Sequence, residues 1–382
     1  MLSKRTQPYG TTIFSEMTAL AQEHGAINLG QGFPDFAAPD FLKRAAQEAI
    51  AADINQYAPS NGRSNLRHAL SQKMNRDYAL FVDPDRDITI THGATEAIFT
   101  TILGLVDPGD EVILFEPYFD IYLPSITFAG GIPRTYTLRP PDWPLDGDEL
   151  GRLFSDKTKV ILVNTPHNPT GKVFSRAELQ IIAGLCQKHN VIAVTDEVYE
   201  HLVFDTHKHM PLAALPGMAD RTVTISSIGK TFSVTGWKVG WTIAVPTLSE
   251  GIRRVHQQTT FSGATPLQEA AVTALNAPNS YFKEFVALYS QKRSFLFNAL
   301  LEAGLKPILP AGTYFIMTQL DNFDFPDDRA FCHYLTKEIG VTAIPPSSFY
   351  QNPADGANLA RFAFCKSEAA LQTAVARLQS LK

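Results

Sequence analysis

Cysteine is scarce: a chain of 382 residues holds three, Cys186, Cys332 and Cys365. They lie far apart and match neither a disulfide framework nor a CxxC metal site, so the expectation is a reducing, cytoplasmic compartment and no bound metal. Charged residues are also few, at 19%, with a net charge of -5 and no basic run. That balance argues against nucleic acid or an anionic membrane as the main partner. Long apolar segments are missing too. Lys4 and Arg5 could mimic the head of a signal sequence, yet polar residues follow them and no run is long enough to span a membrane. No repeat or low-complexity tract occurs. What is present is an ordinary soluble composition, 45% hydrophobic, in a chain long enough for two domains.

From residue 87 short apolar runs rich in β-branched residues alternate with helical patterns. They predict strands over 87–91, 111–115, 132–138, 159–164, 191–195, 222–226 and 239–245. Runs such as Val160-Ile161-Leu162-Val163 are apolar on both faces, as expected of parallel strands covered by helices on either side. Ser175 and Glu178 form a capping-box signature for one of those helices. Residues 39–275 therefore read as a large α/β domain, with helices over 41–50 and 65–78 leading into it. Residues 1–38 read as an irregular arm that joins a small domain. The region 276–382, with a long helix over 281–303, a segment 313–320, a helix near 331–339 and a closing strand and helix, reads as that smaller α+β domain.

The chain is organised around Ser226-Ser227-Ile228-Gly229-Lys230-Thr231, where an amine is set among small residues just after an apolar run. A lysine that loses solvation there has its ammonium disfavoured, and its neutral, nucleophilic form becomes reachable near neutral pH. Schiff-base chemistry requires that form. Gly229-Lys230-Thr231 also looks like the end of a nucleotide P-loop, but the first glycine of that motif is replaced by Thr224. A solvated surface lysine is the ordinary alternative.

Open parallel sheets bind ligands at the carboxyl ends of their strands, and four predicted strands end in polar chemistry. The first runs into Gly93-Ala94-Thr95 at a helix start, where amides and the helix dipole suit a phosphate. The fourth leads to Asn168, the fifth to Asp196 and Tyr199, and the sixth to Ser227 and Lys230. Taken singly, Asp196 could be a helix cap and Asn168 an Asx-turn residue. Together, an amine, a carboxylate, an amide, a phenol and a phosphate nest match what pyridoxal phosphate needs.

Gln31-Gly32-Phe33-Pro34-Asp35-Phe36, Asp196-Glu197-Val198-Tyr199-Glu200-His201, Gly229-Lys230-Thr231-Phe232 and Thr235-Gly236-Trp237-Lys238-Val239-Gly240 carry a resemblance that covers nearly the whole chain. The sequence resembles the fold type I, class I pyridoxal-phosphate aminotransferases. Within them it is similar to the branch of methionine aminotransferases, kynurenine aminotransferases and glutamine transaminase K. The resemblance implies a seven-stranded, mostly parallel sheet with flanking helices, and pyridoxal 5'-phosphate as cofactor. It implies that Lys230 carries the cofactor and moves the substrate proton, that Asp196 pairs with the pyridine nitrogen, and that Asn168 and Tyr199 hydrogen-bond the phenolic oxygen. Phe119 would stack on the ring. Ala94, Thr95, Ser227, Lys238 and a second subunit's Tyr57 would hold the phosphate, so a homodimer with shared active sites is implied. Arg361, opposite the amide of Gly32 and with Asn168, would bind the substrate carboxylate.

Two departures stand out. Lys238 takes the place where many relatives have arginine, turning a fork into a point charge. Ala94 offers an amide but no hydroxyl. The activity implied is a ping-pong transfer of the amino group of methionine, aromatic amino acids, kynurenine or glutamine to a 2-oxo acid. A cysteine-S-conjugate β-lyase on the same fold is the alternative, and a ligand-sensing regulator is disfavoured because no DNA-binding segment flanks the fold. The side-chain pocket is expected from Tyr9, Ile13, Phe14, Phe261, Phe349 and Tyr350. His167 and His201 are expected to be structural, and His207 and His209 to sit in a solvated loop.

Overall fold

Each predicted apolar run becomes a strand, with ends within two residues of expectation, in a computed structural model that describes residues 2–381. They form one seven-stranded sheet in the order Ile88–His92, Val239–Ile243, Thr222–Ser227, Ile192–Asp196, Thr158–Asn164, Glu111–Glu116, Ile132–Thr137. All run parallel except Val239–Ile243, which is antiparallel to both neighbours. Alternation along the strands sends side chains into two separate cores. Ile113, Ile161 and Ala193 pack on one face, while Leu114, Leu162, Val194 and Val223 pack on the other. That double burial is the reason these strands read as continuous apolar runs.

The helices between strands start where the sequence places them. Ser175 Oγ accepts from the Glu178 amide at 3.2 Å, and the Glu178 carboxylate accepts the Ser175 amide at 2.8 Å, opening the helix Arg176–His189. Pro39 stands at the N-cap of the helix Asp40–Ala51 with extended backbone.

The N-terminal arm is not irregular throughout. Ile13–Glu23 is a helix capped by Thr12, and Ile13, Met17 and Ala21 bury its inner face. Ile27–Asn28 then pairs in parallel with Val341–Thr342, tying the arm to the far end of the chain. Neither partner is visible locally, because the apolar stripe of this helix is covered by residues more than 300 positions away, such as Ile339 and Phe349. Beyond the long helix Asn279–Glu302 lies a three-stranded antiparallel sheet ordered Leu359–Ala363, Phe315–Gln319, Lys306–Ile308. The helix expected near 331–339 is Asp328–Tyr334 followed by a wider turn, Leu335–Ile339. Among the described residues no helix is long and apolar enough to cross a membrane.

Candidate active site

At the carboxyl ends of the parallel strands opens a cavity of about 340 Å³, closed from the far side by Phe14, Gln31 and Gly32 of the arm and by Phe315 and Arg361 of the small sheet. Of the residues singled out in the sequence, Gly32, Ala94, Thr95, Phe119, Asn168, Asp196, Tyr199, Ser227, Lys230, Lys238 and Arg361 all line it.

One wall is the start of the helix Gly93–Leu105, where the amides of Ala94 and Thr95 lack helical partners. Gly93 makes the turn from strand to helix with φ +75°, a conformation that side chains resist. Gly240 lets the neighbouring strand pass over that turn, because a Cβ there would fall 2.6 Å from the Gly93 carbonyl carbon. Lys238 Nζ reaches Thr95 Oγ1 at 3.3 Å, and Ser227 lies beside them in the same cavity. Two hydroxyls, free amides and an ammonium thus converge, a donor set suited to a phosphate dianion.

Asp196 ends its strand deep in the cavity, 3% exposed. Burial raises its pKa, opposed by the Tyr122 hydroxyl, which donates to Oδ2 at 2.7 Å, by the Val198 amide and by the charge of Lys230. Its side chain forms no ion pair among the described residues, which leaves it able to accept a proton-bearing ring nitrogen. Asn164 locks the adjacent loop: its Nδ2 donates to the Asp196 carbonyl at 2.9 Å and its Oδ1 accepts the Asn168 amide at 2.6 Å. Tyr199 is buried, and burial pushes its phenol well above the ordinary range, so it stays a donor at neutral pH.

Lys230 Nζ donates to the Gly32 carbonyl at 3.2 Å, between the rings of Tyr199 and Tyr314. Burial lowers its pKa from 10.5 to about 8, the shift expected of a nucleophilic amine. Opposite stands Arg361, 1% exposed, framed by Phe315, Phe14 and Phe349 with its guanidinium carbon 4.2, 5.1 and 5.4 Å from the ring centres. It donates to Asn168 Oδ1 at 3.2 Å and to the Gly30 carbonyl at 2.7 Å, while its buried Nε has no partner. Burial lowers its pKa to about 10, which leaves it cationic at neutral pH and in need of an anion.

Tyr57 is absent from this cavity. It is 85% exposed and meets Phe261 edge-on at 5.6 Å, away from its own chain's site. Of the six residues expected to wall the side-chain pocket, Phe14 alone lines the cavity, with Phe349 directly behind it at 5.7 Å. Tyr9 packs on Phe128, and Ile13 and Tyr350 are buried elsewhere. His209 is not in a solvated loop: its Nε2 meets Glu197 Oε2 at 2.8 Å, with both side chains at most 3% exposed. His207 is exposed, and His167 is a buried structural residue bonded to Thr170 at 2.8 Å. Sequence reasoning missed Tyr122, Asn164, Tyr314 and Phe315. Asn164 carried the same signal as Asp196, a polar residue closing an apolar run, and Tyr122 follows Phe119 by three residues.

Amine, buried carboxylate, phenol, phosphate nest and unpaired guanidinium fit pyridoxal 5'-phosphate and a substrate carboxylate, and with this sheet they define a pyridoxal-phosphate-dependent transaminase. The chain belongs to the family described as Aminotransferase class I and II, which it matches over residues 24–378. Within that family it falls in the branch of enzymes named methionine aminotransferase and kynurenine–oxoglutarate transaminase. It is 43% identical to the methionine aminotransferase of Escherichia coli over 97% of this chain and 96% of that protein. It is 42% identical to the kynurenine–oxoglutarate transaminase of Dictyostelium discoideum over 100% of this chain and 96% of that protein. A solved N-succinyldiaminopimelate aminotransferase from Mycobacterium tuberculosis superposes with TM-score 0.97 at 41% identity, covering 100% of both chains.

Proposed function

We propose that this aminotransferase moves the amino group of methionine, aromatic amino acids, kynurenine or glutamine to a 2-oxo acid in a ping-pong cycle. The observation that carries the substrate class is the cavity lining. Phe14, Phe119 and Phe315 make its apolar wall, and beyond Lys230 and the phosphate-side Lys238 its cation is Arg361 alone among the described residues. One guanidinium binds one carboxylate, so a second carboxylate on the side chain would be desolvated against aromatic rings at a cost of several kcal/mol. The names of the relatives from Escherichia coli and Dictyostelium discoideum support the same class.

When bound, pyridoxal 5'-phosphate supplies an electron sink for the bond broken at the substrate carbon. Lys230 holds and then moves the proton at that carbon, its lowered pKa letting the amine act as a base. Asp196 keeps a proton on the ring nitrogen, and Tyr122 orients that carboxylate. Asn168 and Tyr199 donate to the phenolic oxygen, Phe119 covers the ring face, and Arg361 with the Gly32 amide orients the substrate carboxylate. Ala94, Thr95, Ser227 and Lys238 hold the phosphate, together with Tyr57 from a second copy in a two-fold dimer.

The division into an arm of residues 1–38, a large unit 39–275 and a small unit 276–382 is supported by their separate sheets, with the arm pairing to Val341–Thr342. Three buried free thiols support a reducing, cytoplasmic compartment.

The test is a half-reaction screen of the purified protein with each amino acid, followed by borohydride reduction and peptide mapping. The fastest donors are expected to be methionine and ring-bearing amino acids, with aspartate poor and the cofactor fixed on Lys230. A clear preference for aspartate, or a label on another lysine, overturns the reading. Ammonia release without a 2-oxo acid identifies the β-lyase instead.

A further inference from the structure

Asp120 follows the ring-stacking Phe119 and lines the same cavity as Arg361, Phe14 and Phe315. Its ordinary structural duty would be to cap the helix that starts just after it, Tyr122–Ala129. That helix has Ile121 at its cap position and no side-chain cap hydrogen bond. Asp120 forms no ion pair among the described residues, and besides Arg361 it is the backbone amides of Ile121 and Asp120 itself that favour its charged form. Burial raises its pKa, opposed first by the charge of Arg361, so the two groups feel each other across the cavity. A carboxylate in that position works against the task of Arg361, which is to attract the substrate's own carboxylate.

We propose that Asp120 is a specificity-determining residue of the side-chain subsite, where its carboxylate rejects donors with an acidic side chain and accepts those that present a hydrogen-bond donor, such as an amide or aniline N–H. The aromatic residues provide area without direction, whereas an anion lining the same cavity distinguishes side chains of equal size by charge. An acidic side chain there is repelled and finds no cation. A neutral amide of the same length gains a charge-assisted hydrogen bond. This inference rests on the aminotransferase reading of the same cavity.

Glutamate and glutamine have nearly the same shape, so their ratio isolates the effect. In the holoenzyme, Asp120→Asn is expected to raise the glutamate-to-glutamine ratio of kcat/KM at least 10-fold, mainly through KM. Asp120→Glu is expected to keep rejection of glutamate. The dissociation constants of 2-methylglutamate and 2-methylglutamine, which lack the transferable proton, should move in the same ratio. Asp120→Ser provides a second neutral variant should the first fold poorly. If Asp120 merely balances the charge of Arg361, both substrates change alike and the ratio stays within about 2-fold, which overturns the proposal. Wild-type protein that turns over no amino acid would instead overturn the aminotransferase reading itself.

Discussion

Lys230 titrates near pH 8 in the folded protein and near 10.5 when exposed, and that difference is a statement about stability. The fold disfavours its ammonium, so the cofactor-free protein carries a penalty below pH 8 that fades as the pH rises toward 10.5. A shift of 10.5 - 8 = 2.5 units at about 1.36 kcal/mol each gives about 3 kcal/mol. Lys230 stays partly open to the cavity, and solvent there reduces the figure to about 2 kcal/mol. Lys230→Met removes the titrating amine and keeps the side-chain volume. Urea unfolding of cofactor-free wild type and variant should therefore show a difference that depends on pH. The wild type should gain about 2 kcal/mol relative to the variant between pH 7 and 10.5, while tyrosines and other lysines cancel in the comparison. A constant offset over that range would show that Lys230 is an ordinary solvated amine, and the assignment of the nucleophile would lose its physical basis.

Two further predictions concern the surroundings of the site. Lys73 Nζ meets Glu200 Oε2 at 2.6 Å, with side chains 4% and 7% exposed, so Lys73→Met should cost about 3–5 kcal/mol and Glu200→Gln in the same chain should recover part of it. Burial alone would raise the Glu200 pKa, yet Lys73, His201 and Tyr78 hold it well below the carboxylate range. Its contribution is therefore complete above pH 4.5 and lost on acidification, and a loss under about 1 kcal/mol in thermal or urea unfolding of the single variant would contradict the pair. Tyr57→Phe should weaken cofactor retention without abolishing chemistry, and light scattering should find a dimer; a fully active monomer refutes the shared site.

Much of this protein was legible in its sequence because local pattern and final environment agree. Strands buried on both faces must be apolar throughout, so the runs at 159–164 and 191–195 announced themselves as central strands. Ligand sites in such sheets gather at strand ends, and Asp196, which closes one run, Asn168, four residues past the end of another, and Lys230 line one cavity. The capping box at Ser175 was equally plain, since both partners lie within four residues. Tertiary structure decided what depends on partners distant in sequence. The helix Ile13–Glu23 forms against residues near the C-terminus, and Phe14 reaches the cavity only because that docking occurs. Phe315 and Arg361 face each other through the pairing of their strands, and the burial of His209 against Glu197 comes from a loop folding back across 12 residues. Tyr122 becomes the partner of Asp196 across 74 positions, a hydrogen bond that no short-range pattern encodes. Periodicity reports which face of an element is buried, but the identity of what covers that face is set by chain closure over long distances, and most of the side-chain subsite is built that way.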